Sequence, residues 1–325
     1  MKKQPHYKYN QRVFGTLSAT FLSISLFVYC IDPYWLFHRK PVWDGHNIVL
    51  ALKMRFTKSL QVIFRQPRVV IIGSSRVYRG IPTNKLPQYN AYNLGISSLR
   101  ISEADAYVRH VMRWTPVKVI VLGLDYFMFD HAHQSEPGFD SSVTNFNYLF
   151  KAIPSSLLTL MAVKDSLTAM EGEKKSDGHW TWSGFKITKP RPAERMEVVV
   201  NTFYNDHKEV TDQELNKLEN IIRQTRLKGI ELKLFISPLN QRMINRMKKM
   251  GVYEEFERWK AMISEVARSN NVKILDFSKN NPFFIDHTEH GSSTHWIDPS
   301  HYSPKTGLWI LTQTGFLVAH KNQNN

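Results

Sequence analysis

Short apolar runs alternate with stretches of helical periodicity along most of this chain. Five runs have the β-branched and leucine-rich composition of strands covered on both faces: "RVVIIGSS", "AYNLGI", "VKVIVLGLDYF", "IELKLFISPL" and "NVKILDFS". Helical stretches lie between them, among them "ISEADAYVRHVMRW", "TDQELNKLENIIRQTRLKG" and "EEFERWKAMISEVARSN". Strands that alternate with helices in this way predict an α/β fold with a parallel sheet and crossover helices.

The N-terminal region has a different pattern, because an apolar run without any charge extends from Val13 to Ile31. At ~1.5 Å per residue this run just crosses a hydrocarbon core of ~30 Å. Basic residues precede it, which by the positive-inside rule leaves the tail in the cytoplasm. We therefore predict a cytoplasmic tail over residues 1–12, a transmembrane anchor over 13–31, and all later residues outside the membrane.

A cleaved signal peptide is the alternative interpretation of the same run. The run is long for a signal peptide, and bulky residues follow it where a small-x-small cleavage site would be needed. We therefore expect a single-pass protein of the bacterial inner (cytoplasmic) membrane, with the rest of the chain periplasmic or extracellular.

Two segments interrupt the α/β pattern. Residues 32–66 predict a juxtamembrane neck, in which Tyr34, Trp35 and Phe37 suit either the membrane interface or simple packing. Residues from about 129 to 200 are polar and loop-like around one helical stretch. We predict a single domain over 67–325, with this segment inserted at the functional rim, where loops usually carry specificity.

The charge of the chain changes the expected partner. The 325 residues carry a formal net charge of +15, which favours anionic partners. Because the anchor predicts an outside location, we expect phospholipid headgroups or acidic glycans rather than nucleic acid. The single cysteine, Cys30, excludes an intramolecular disulfide and a cysteine zinc site.

Candidate chemistry lies where the predicted strands end, since ligands bind beyond the carboxyl ends of the strands in open α/β sheets. The first strand runs into "GSSR", and a second element near the C-terminus reads "HWIDPSHYSP". In that element Asp298 precedes His301 by three residues, just before a predicted helix with Ser303 as N-cap and Pro304 at its first position. A carboxylate in this position can fix the histidine tautomer, which leaves the other ring nitrogen to take a proton from a serine.

The order of these blocks resembles the SGNH (GDSL-type) serine hydrolase superfamily. The blocks are Gly73-Ser74-Ser75, the glycine of "YNLGISS", the "GLD" of residues 123–125, and the Asp-x-x-His of residues 298–301. The chain is most similar to membrane-anchored members, such as the D-alanine transfer protein of teichoic-acid systems and the acetyltransferase partners of alginate and cellulose modification. The resemblance implies a flavodoxin-like three-layer fold and acyl-ester chemistry on an envelope glycan.

The resemblance also implies roles for individual residues. Ser75 aligns with the nucleophile, His301 with the base and Asp298 with the residue that orients the base. The backbone N–H groups of Ser75 and Gly95 align with two oxyanion-hole donors. Ser74 is the alternative nucleophile, but in the matching block the nucleophile stands two residues after the glycine, which is the position of Ser75.

The chain departs from the superfamily pattern at two positions. Ser74 stands where the family has an acid. Asp125 stands where the family has an asparagine, and an ionised carboxylate cannot donate to an oxyanion. Either burial keeps Asp125 protonated, or Asp125 is structural and the oxyanion hole has two donors. We favour the second, with Asn93 as a possible substitute donor.

Further candidates for substrate binding each have a structural alternative. Arg76 could hold an anionic group near the nucleophile, or pair with an acid such as Asp125 or Asp105. Asn240 could bind substrate or cap a helix. His295 and Trp296 could line an acceptor cleft, where aromatic rings stack on sugars, or pack in the core.

A metal site is a weaker interpretation of the histidine-rich C-terminal segment. His287, His290, His295 and His301 lie close together in the sequence, but no pair has the His-Glu-x-x-His spacing of a zinc protease. We predict no metal and no cofactor.

The sequence and this resemblance therefore predict a membrane-anchored serine esterase or O-acyltransferase that acts on an envelope polysaccharide through an acyl-serine. Acetyl is the expected acyl group. A multi-spanning membrane acyltransferase is the partner that the resemblance implies. The alternative is a non-catalytic module of the same fold that binds an anionic glycan or scaffolds an envelope biosynthesis complex.

Overall fold

The computed structural model describes residues 5–130, 139–145, 147–172, 178–188, 210–285 and 293–317. The chain divides into two compact units. A helical unit comprises Met1–Phe64 and Asn145–Ser176, and an α/β unit comprises Arg65–Thr144 and Asp177–Asn325.

The secondary structure follows the alternation in the sequence. The helices are α1 (Pro5–Ile31), α2 (His46–Leu52), α3 (Met54–Arg65), α4 (Ser75–Gly80), α5 (Ile101–Trp114), α6 (Tyr148–Leu158), α7 (Leu160–Met170), α8 (Asp212–Leu227), α9 (Gln241–Lys249), α10 (Tyr253–Ser269) and α11 (Pro304–Gln313). The strands are β1 (Val69–Gly73), β2 (Ala91–Gly95), β3 (Val119–Leu124), β4 (Gly178–Trp180), β5 (Lys186–Thr188), β6 (Glu231–Ile236), β7 (Ile274–Asp276), β8 (Trp296–Asp298) and β9 (His301–Tyr302). Short 3₁₀ turns cover Thr83–Lys85, Pro87–Tyr89, Tyr126–Phe129 and Ser141–Thr144.

The central sheet confirms the five predicted strands and the α/β fold class. Its order is β2-β1-β3-β6-β7, and every neighbouring pair is parallel. Numbered within the sheet, this is the 2-1-3-4-5 order of flavodoxin-like sheets. The strand order reverses between β1 and β3, so the residues that follow these two strands lie where such sheets bind their ligands.

The helices pack on the sheet, and the hydrophobic core lies between the helices and the strands. Side chains that alternate along β1, β3 and β6 join a buried cluster with the first and last helices of the α/β unit; its members include Val69, Ile71, Val121, Phe235, Val77 and Ile310. Helices α5 and α8 pack against each other, and α8 packs on β6. A capping box begins α8, because Thr211 and Glu214 exchange hydrogen bonds at its start.

A close contact joins the two ends of the α/β unit. A side chain at Gly80, the last residue of α4, would collide with the ring of Tyr302 in β9. Tyr302 is completely buried. The absence of a side chain at residue 80 therefore allows the C-terminal segment to pack directly on α4, the helix that begins with Ser75.

The helical unit contains the apolar N-terminal helix. The stretch Tyr9–Ile31 of α1 is long and apolar enough to cross a membrane. Helix α1 ends where predicted, because the Asp32 carboxylate accepts hydrogen bonds from the backbone N–H groups of Leu36, Phe37 and His38 and closes a turn there. Within this unit α1 contacts both α6 and α7.

The segment predicted as an insertion over about 129–200 is divided between the units. Helices α6 and α7 belong to the helical unit, and the β4–β5 hairpin belongs to the α/β unit. The hairpin contacts α4, and its Ser183 carbonyl accepts from the backbone N–H of Asn93 in β2 at 2.7 Å.

Candidate active site

The turn after β1 presents Ser75. Gly73 ends the strand with a φ of +157°, and a side chain there would collide with Val77. Ser74 is the N-cap of α4, and its hydroxyl accepts from the backbone N–H of Arg76 at 3.1 Å. Ser74 is completely buried, whereas Ser75 is half-buried. Of the two serines, only Ser75 has a partly accessible side chain.

Three residues from the two ends of the domain meet at this turn. The His301 Nε2 atom lies 2.9 Å from Ser75 Oγ, although 226 residues separate them in the sequence. The His301 Nδ1 atom lies 2.9 Å from both carboxylate oxygens of Asp298. Since an ionised carboxylate only accepts, Nδ1 carries the proton and Nε2 is left to accept from the serine hydroxyl.

The Asp298 carboxylate is itself held in place by the turn it belongs to. Its Oδ1 accepts from the backbone N–H groups of Ser300 and His301 at 2.9 Å each. Ser303 caps the following helix α11 as predicted, by accepting from the backbone N–H of Thr306, and Pro304 is at the start of that helix. The geometry of Asp298 and His301 is therefore set by local backbone structure.

The surroundings of His301 favour the neutral form of its imidazole. Burial is the largest cause of the lowered pKa of His301, and the cationic side chains of Arg79 and Arg76 lower it further. The adjacent Asp298 acts in the opposite direction. A neutral imidazole at neutral pH is the form that can accept a proton from a serine.

A buried network beside Ser75 involves the two residues that depart from the superfamily pattern. Asp125, which follows β3, accepts from Ser74 Oγ at 2.5 Å and from Arg76 Nη1 at 2.5 Å. The side chains of Arg76 and Asp125 are 4% and 0% exposed. Of the two alternatives for Arg76, the structure shows the ion pair with Asp125. The Asp125 carboxylate thus has a structural partner.

Arg76 also links this network to residues 298–301, which we call the histidine turn. Its Nε donates to the carbonyl oxygen of Ser300 at 2.8 Å. Ser300 lies between Asp298 and His301, so one guanidinium contacts both the end of β3 and the histidine turn. The Arg76 guanidinium is therefore buried in contacts within the protein and is not exposed to an anionic ligand.

The predicted oxyanion hole needs a correction. The Asn93 Nδ2 group donates to the carbonyls of Val77 and Ile81 at 3.0 and 2.9 Å, and Asn93 Oδ1 accepts from the backbone N–H of Gly95 at 2.9 Å. The Asn93 amide donors therefore join β2 to α4 and to the residue that follows it, and the Gly95 N–H is held by the Asn93 side chain within β2. Of the predicted donors, only the Ser75 N–H has no acceptor among the residues that the structure describes.

The remaining predicted substrate-binding residues have structural contacts. Asn240 is the N-cap of α9 and accepts from the backbone N–H of Met243 at 3.2 Å, which is the capping alternative. Trp296 is 2% exposed and belongs to the core cluster, and its Nε1 donates to the carbonyl of Phe283. Of the two alternatives for Trp296, the structure shows core packing. His295 is half-buried and stacks on the Phe283 ring at 3.8 Å between centroids.

The histidine-rich segment is described only in part. His287 and His290 lie outside the described residues. Within the parts of the chain that the structure describes, no group of three or more His, Cys, Asp or Glu side chains is arranged to hold a metal ion.

Sequence reasoning missed Arg79. This residue lies on α4 four positions after Ser75, and its Nη1 donates to Thr188 Oγ1 at 3.2 Å. Helical residues four apart share a face, so the spacing from Ser75 was a usable signal. The contact of Arg76 with the Ser300 carbonyl had no signal in the sequence, because it joins residues 224 positions apart through the backbone.

No protein-family model and no curated protein matches the chain. A solved structure from Streptococcus pneumonia, named provisionally as a platelet activating factor, aligns with 82% of this chain and 93% of its own, at 15% identity and a TM-score of 0.38. A structure named provisionally as an acylhydrolase, from Bacteroides fragilis NCTC 9343, aligns with 78% of this chain and 88% of its own, at 10% identity and a TM-score of 0.37. These similarities are loose, and the chemistry below rests on the geometry of the site.

Proposed function

We propose that this chain is a membrane-anchored serine esterase or O-acyltransferase that works through an acyl-Ser75 intermediate outside the cytoplasmic membrane. The observation that carries the proposal is the hydrogen-bonded series from Ser75 through His301 to Asp298, with heavy-atom distances of 2.9 Å at both steps. A serine hydroxyl is a weak nucleophile until a neighbouring base removes its proton, and this arrangement supplies that base.

The first half of the reaction forms the acyl-enzyme. Ser75 Oγ attacks the ester carbonyl while His301 Nε2 takes the hydroxyl proton, and Asp298 stabilises the resulting imidazolium. The oxyanion that develops on the former carbonyl oxygen receives a hydrogen bond from the Ser75 N–H. Collapse of this tetrahedral intermediate breaks the ester C–O bond, and His301 returns the proton to the departing alcohol.

The second half releases the acyl group. Water or a sugar hydroxyl attacks the acyl-Ser75 carbonyl, and His301 Nε2 takes the proton of the attacking oxygen. Collapse of the second intermediate returns that proton to Ser75 Oγ. Water as the attacking group gives an esterase, and a sugar hydroxyl gives an O-acyltransferase.

The proposal also specifies the acyl group, its acceptor and the location of the protein. An acetyl group and an envelope polysaccharide are the substrates that the SGNH resemblance implies, and the net charge of +15 suits an anionic glycan. A multi-spanning membrane acyltransferase would supply the acyl group. The inner-membrane location rests on the apolar Tyr9–Ile31 stretch and on the basic residues before it.

Packing supports an uncleaved anchor over a signal peptide. Val28 and Ile31 at the end of α1 are 1% and 8% exposed, although most of the helix is exposed. Cleavage after α1 would remove these buried contacts from the helical unit.

One observation favours the alternative of a non-catalytic module. The N–H groups of Asn93 and Gly95 are engaged elsewhere, which leaves a single predicted oxyanion donor without an acceptor among the described residues. Loss of one such donor typically lowers the rate by ~100- to 1000-fold. A module that only binds glycan would need no such donor.

Turnover of acetyl esters by the full-length protein in detergent separates the two functions. We expect hydrolysis of p-nitrophenyl acetate, and acetyl transfer to envelope polysaccharide when a glycan acceptor is added. Ser75→Ala and His301→Ala should each lower kcat by at least about 1000-fold, because the catalytic residues act as one unit. Thr211→Ala, which removes the N-cap of α8, is the matched control. If the folded wild type turns over no ester while it binds glycan, the binding module is correct.

A further inference from the structure

Helices α6 and α7 expose apolar side chains that the proposed chemistry does not use. We call this set the apolar ridge: Phe150, Leu158, Leu160, Met161 and Leu167. Phe150, in the first turn of α6, is 77% exposed, and Leu160, the first residue of α7, is 88% exposed. Side chains of this size that are exposed together on neighbouring helices mark an interaction surface.

The contacts of α1 place this ridge at one end of the candidate membrane span. Helix α1 contacts both α6 and α7. Its buried residues lie in its last two turns, including Val28 and Ile31, whereas Phe14 and Leu22 are 74% and 71% exposed. Helices α6 and α7 therefore pack around the C-terminal end of α1 and leave its middle uncovered.

The length of the membrane-spanning stretch determines how deep the C-terminal end of α1 lies in the bilayer. The stretch Tyr9–Ile31 has 23 residues, which at ~1.5 Å per residue is longer than the ~30 Å hydrocarbon core needs. The last two turns of an inserted α1 then lie at the boundary between acyl chains and headgroups. Helices that pack on those turns lie at the same depth.

The charges on α6 and α7 suit a phospholipid surface. Their two cations, Lys151 and Lys164, are exposed. Their one carboxylate, Asp165, is 7% exposed and accepts from the Tyr34 hydroxyl at 2.7 Å. The exposed charged side chains are thus basic, and they lie next to apolar groups, which is the pattern of helices that rest on anionic lipid.

We propose that the α6–α7 pair is a second membrane contact, which rests on the outer face of the bilayer with the apolar ridge among the lipid headgroups and upper acyl chains. This proposal rests on the proposed anchor, since α1 must be inserted to fix the depth of the ridge. It does not depend on the acyl chemistry. A lipid bilayer is the occupant, and a protein partner on the same surface is an alternative outcome of the test.

Fluorescence quenching in lipid nanodiscs tests the contact with the full chain. In a Cys30→Ser background, single cysteines at Phe150 and Leu160 carry an environment-sensitive fluorophore, in nanodiscs with anionic phospholipid. Nitroxide-labelled lipid should quench both probes several-fold more than it quenches the glutathione conjugate of the same fluorophore, free in the same nanodisc suspension. Aqueous iodide should show the reverse order.

A probe at Leu17 in α1, which is 53% exposed, separates the two possible failures. If lipid quenches the probe at Leu17 but iodide quenches those at Phe150 and Leu160, the second contact is refuted and the anchor stands. If lipid does not quench the probe at Leu17, both are refuted. Probes at Phe150 and Leu160 that neither quencher reaches would show a protein on the ridge and overturn the lipid contact. Ester turnover of the same samples reports separately on the proposed function.

Discussion

The Arg76 guanidinium joins parts of the site that are far apart in the sequence. It pairs with Asp125 at the end of β3 and donates to the Ser300 carbonyl in the histidine turn. Its backbone follows Ser75 directly, so its two contacts tie the nucleophile turn to the base. Lysine has one compact donor group and cannot reproduce both contacts.

We therefore expect Arg76→Lys to lower kcat by about 10- to 100-fold with little change in KM, because a displacement of the base by ~1 Å is enough for such a loss. Steady-state kinetics with p-nitrophenyl acetate measure the two constants. Arg109→Lys is the control, since it changes a half-exposed ion pair with Asp105 on α5. A folded Arg76→Lys protein with the kcat of the control would contradict the positioning role.

Arg79 affects the same site through charge. The pKa of His301 is lowered chiefly by burial, and the charge of Arg79 lowers it further. Because His301 must be neutral to accept the serine proton, kcat/KM should be full above the pKa of His301 and fall as the pH drops through it.

We expect the acid limb of the wild-type profile below the ordinary histidine value of about 6.5. In Arg79→Gln the limb should move to higher pH, because a cation that disfavours the imidazolium is removed. A pH series of kcat/KM from about 4.5 to 8 measures both limbs. A limb that stays in place, or moves to lower pH, contradicts this electrostatic account.

At the scale of elements, the site is built from helix starts and strand ends. Ser74 caps α4, Asn240 caps α9 and Ser303 caps α11. The sequence indicated the cap of α11 directly, because Ser-Pro is a strong helix start. A polar residue after a strand, such as Asn240, is compatible with either a helix cap or a substrate contact. Only the structure distinguishes these two roles.

Asn240→Ala should lower the free energy of unfolding by about 1 kcal/mol, the usual effect of losing an N-cap. Asn240→Asp should retain most of the stability, since its carboxylate can accept the same backbone N–H. Urea unfolding measures stability, and kcat/KM should change less than twofold in both variants. A tenfold loss of kcat/KM at unchanged stability would instead make Asn240 a substrate contact.

The strands could be predicted because the apolar composition of a buried strand is visible within one short segment of sequence. A strand buried on both faces has to be apolar throughout, so the five runs are visible in the sequence. The role of Asn93 was not visible, because a buried amide on a strand has the same sequence signal whether it binds substrate or satisfies backbone groups. Its contacts with the Val77 and Ile81 carbonyls exist only once α4 has packed beside β2.

At the scale of the whole molecule, residues distant in sequence form each unit. The α6–α7 pair shares a unit with α1, more than one hundred residues earlier in the chain. Periodicity predicts a helix, but it does not say which other element the helix packs on. The Ser75–His301 contact was predictable across a similar distance only because the SGNH resemblance pairs these two blocks.

An uncleaved anchor predicts how the whole chain fractionates. The protein should remain in the membrane pellet after alkaline carbonate extraction, at the 38.0 kDa of the full sequence. A C-terminal tag should be digested by protease added to intact spheroplasts, since the α/β unit is proposed to lie outside. A shorter soluble product would indicate a signal peptide, and a protected tag would indicate the opposite orientation.

The central claim is that Ser75, activated by His301, is the nucleophile, and covalent labelling tests it most directly. A fluorophosphonate probe should form one adduct per chain, which peptide mass spectrometry should locate on Ser75 and not on Ser74. Ser75→Ala and His301→Ala should abolish the adduct while circular dichroism remains that of the wild type, and Asn240→Ala should label normally. A folded wild-type protein that takes up no probe, or that carries the adduct on another residue, would contradict the account.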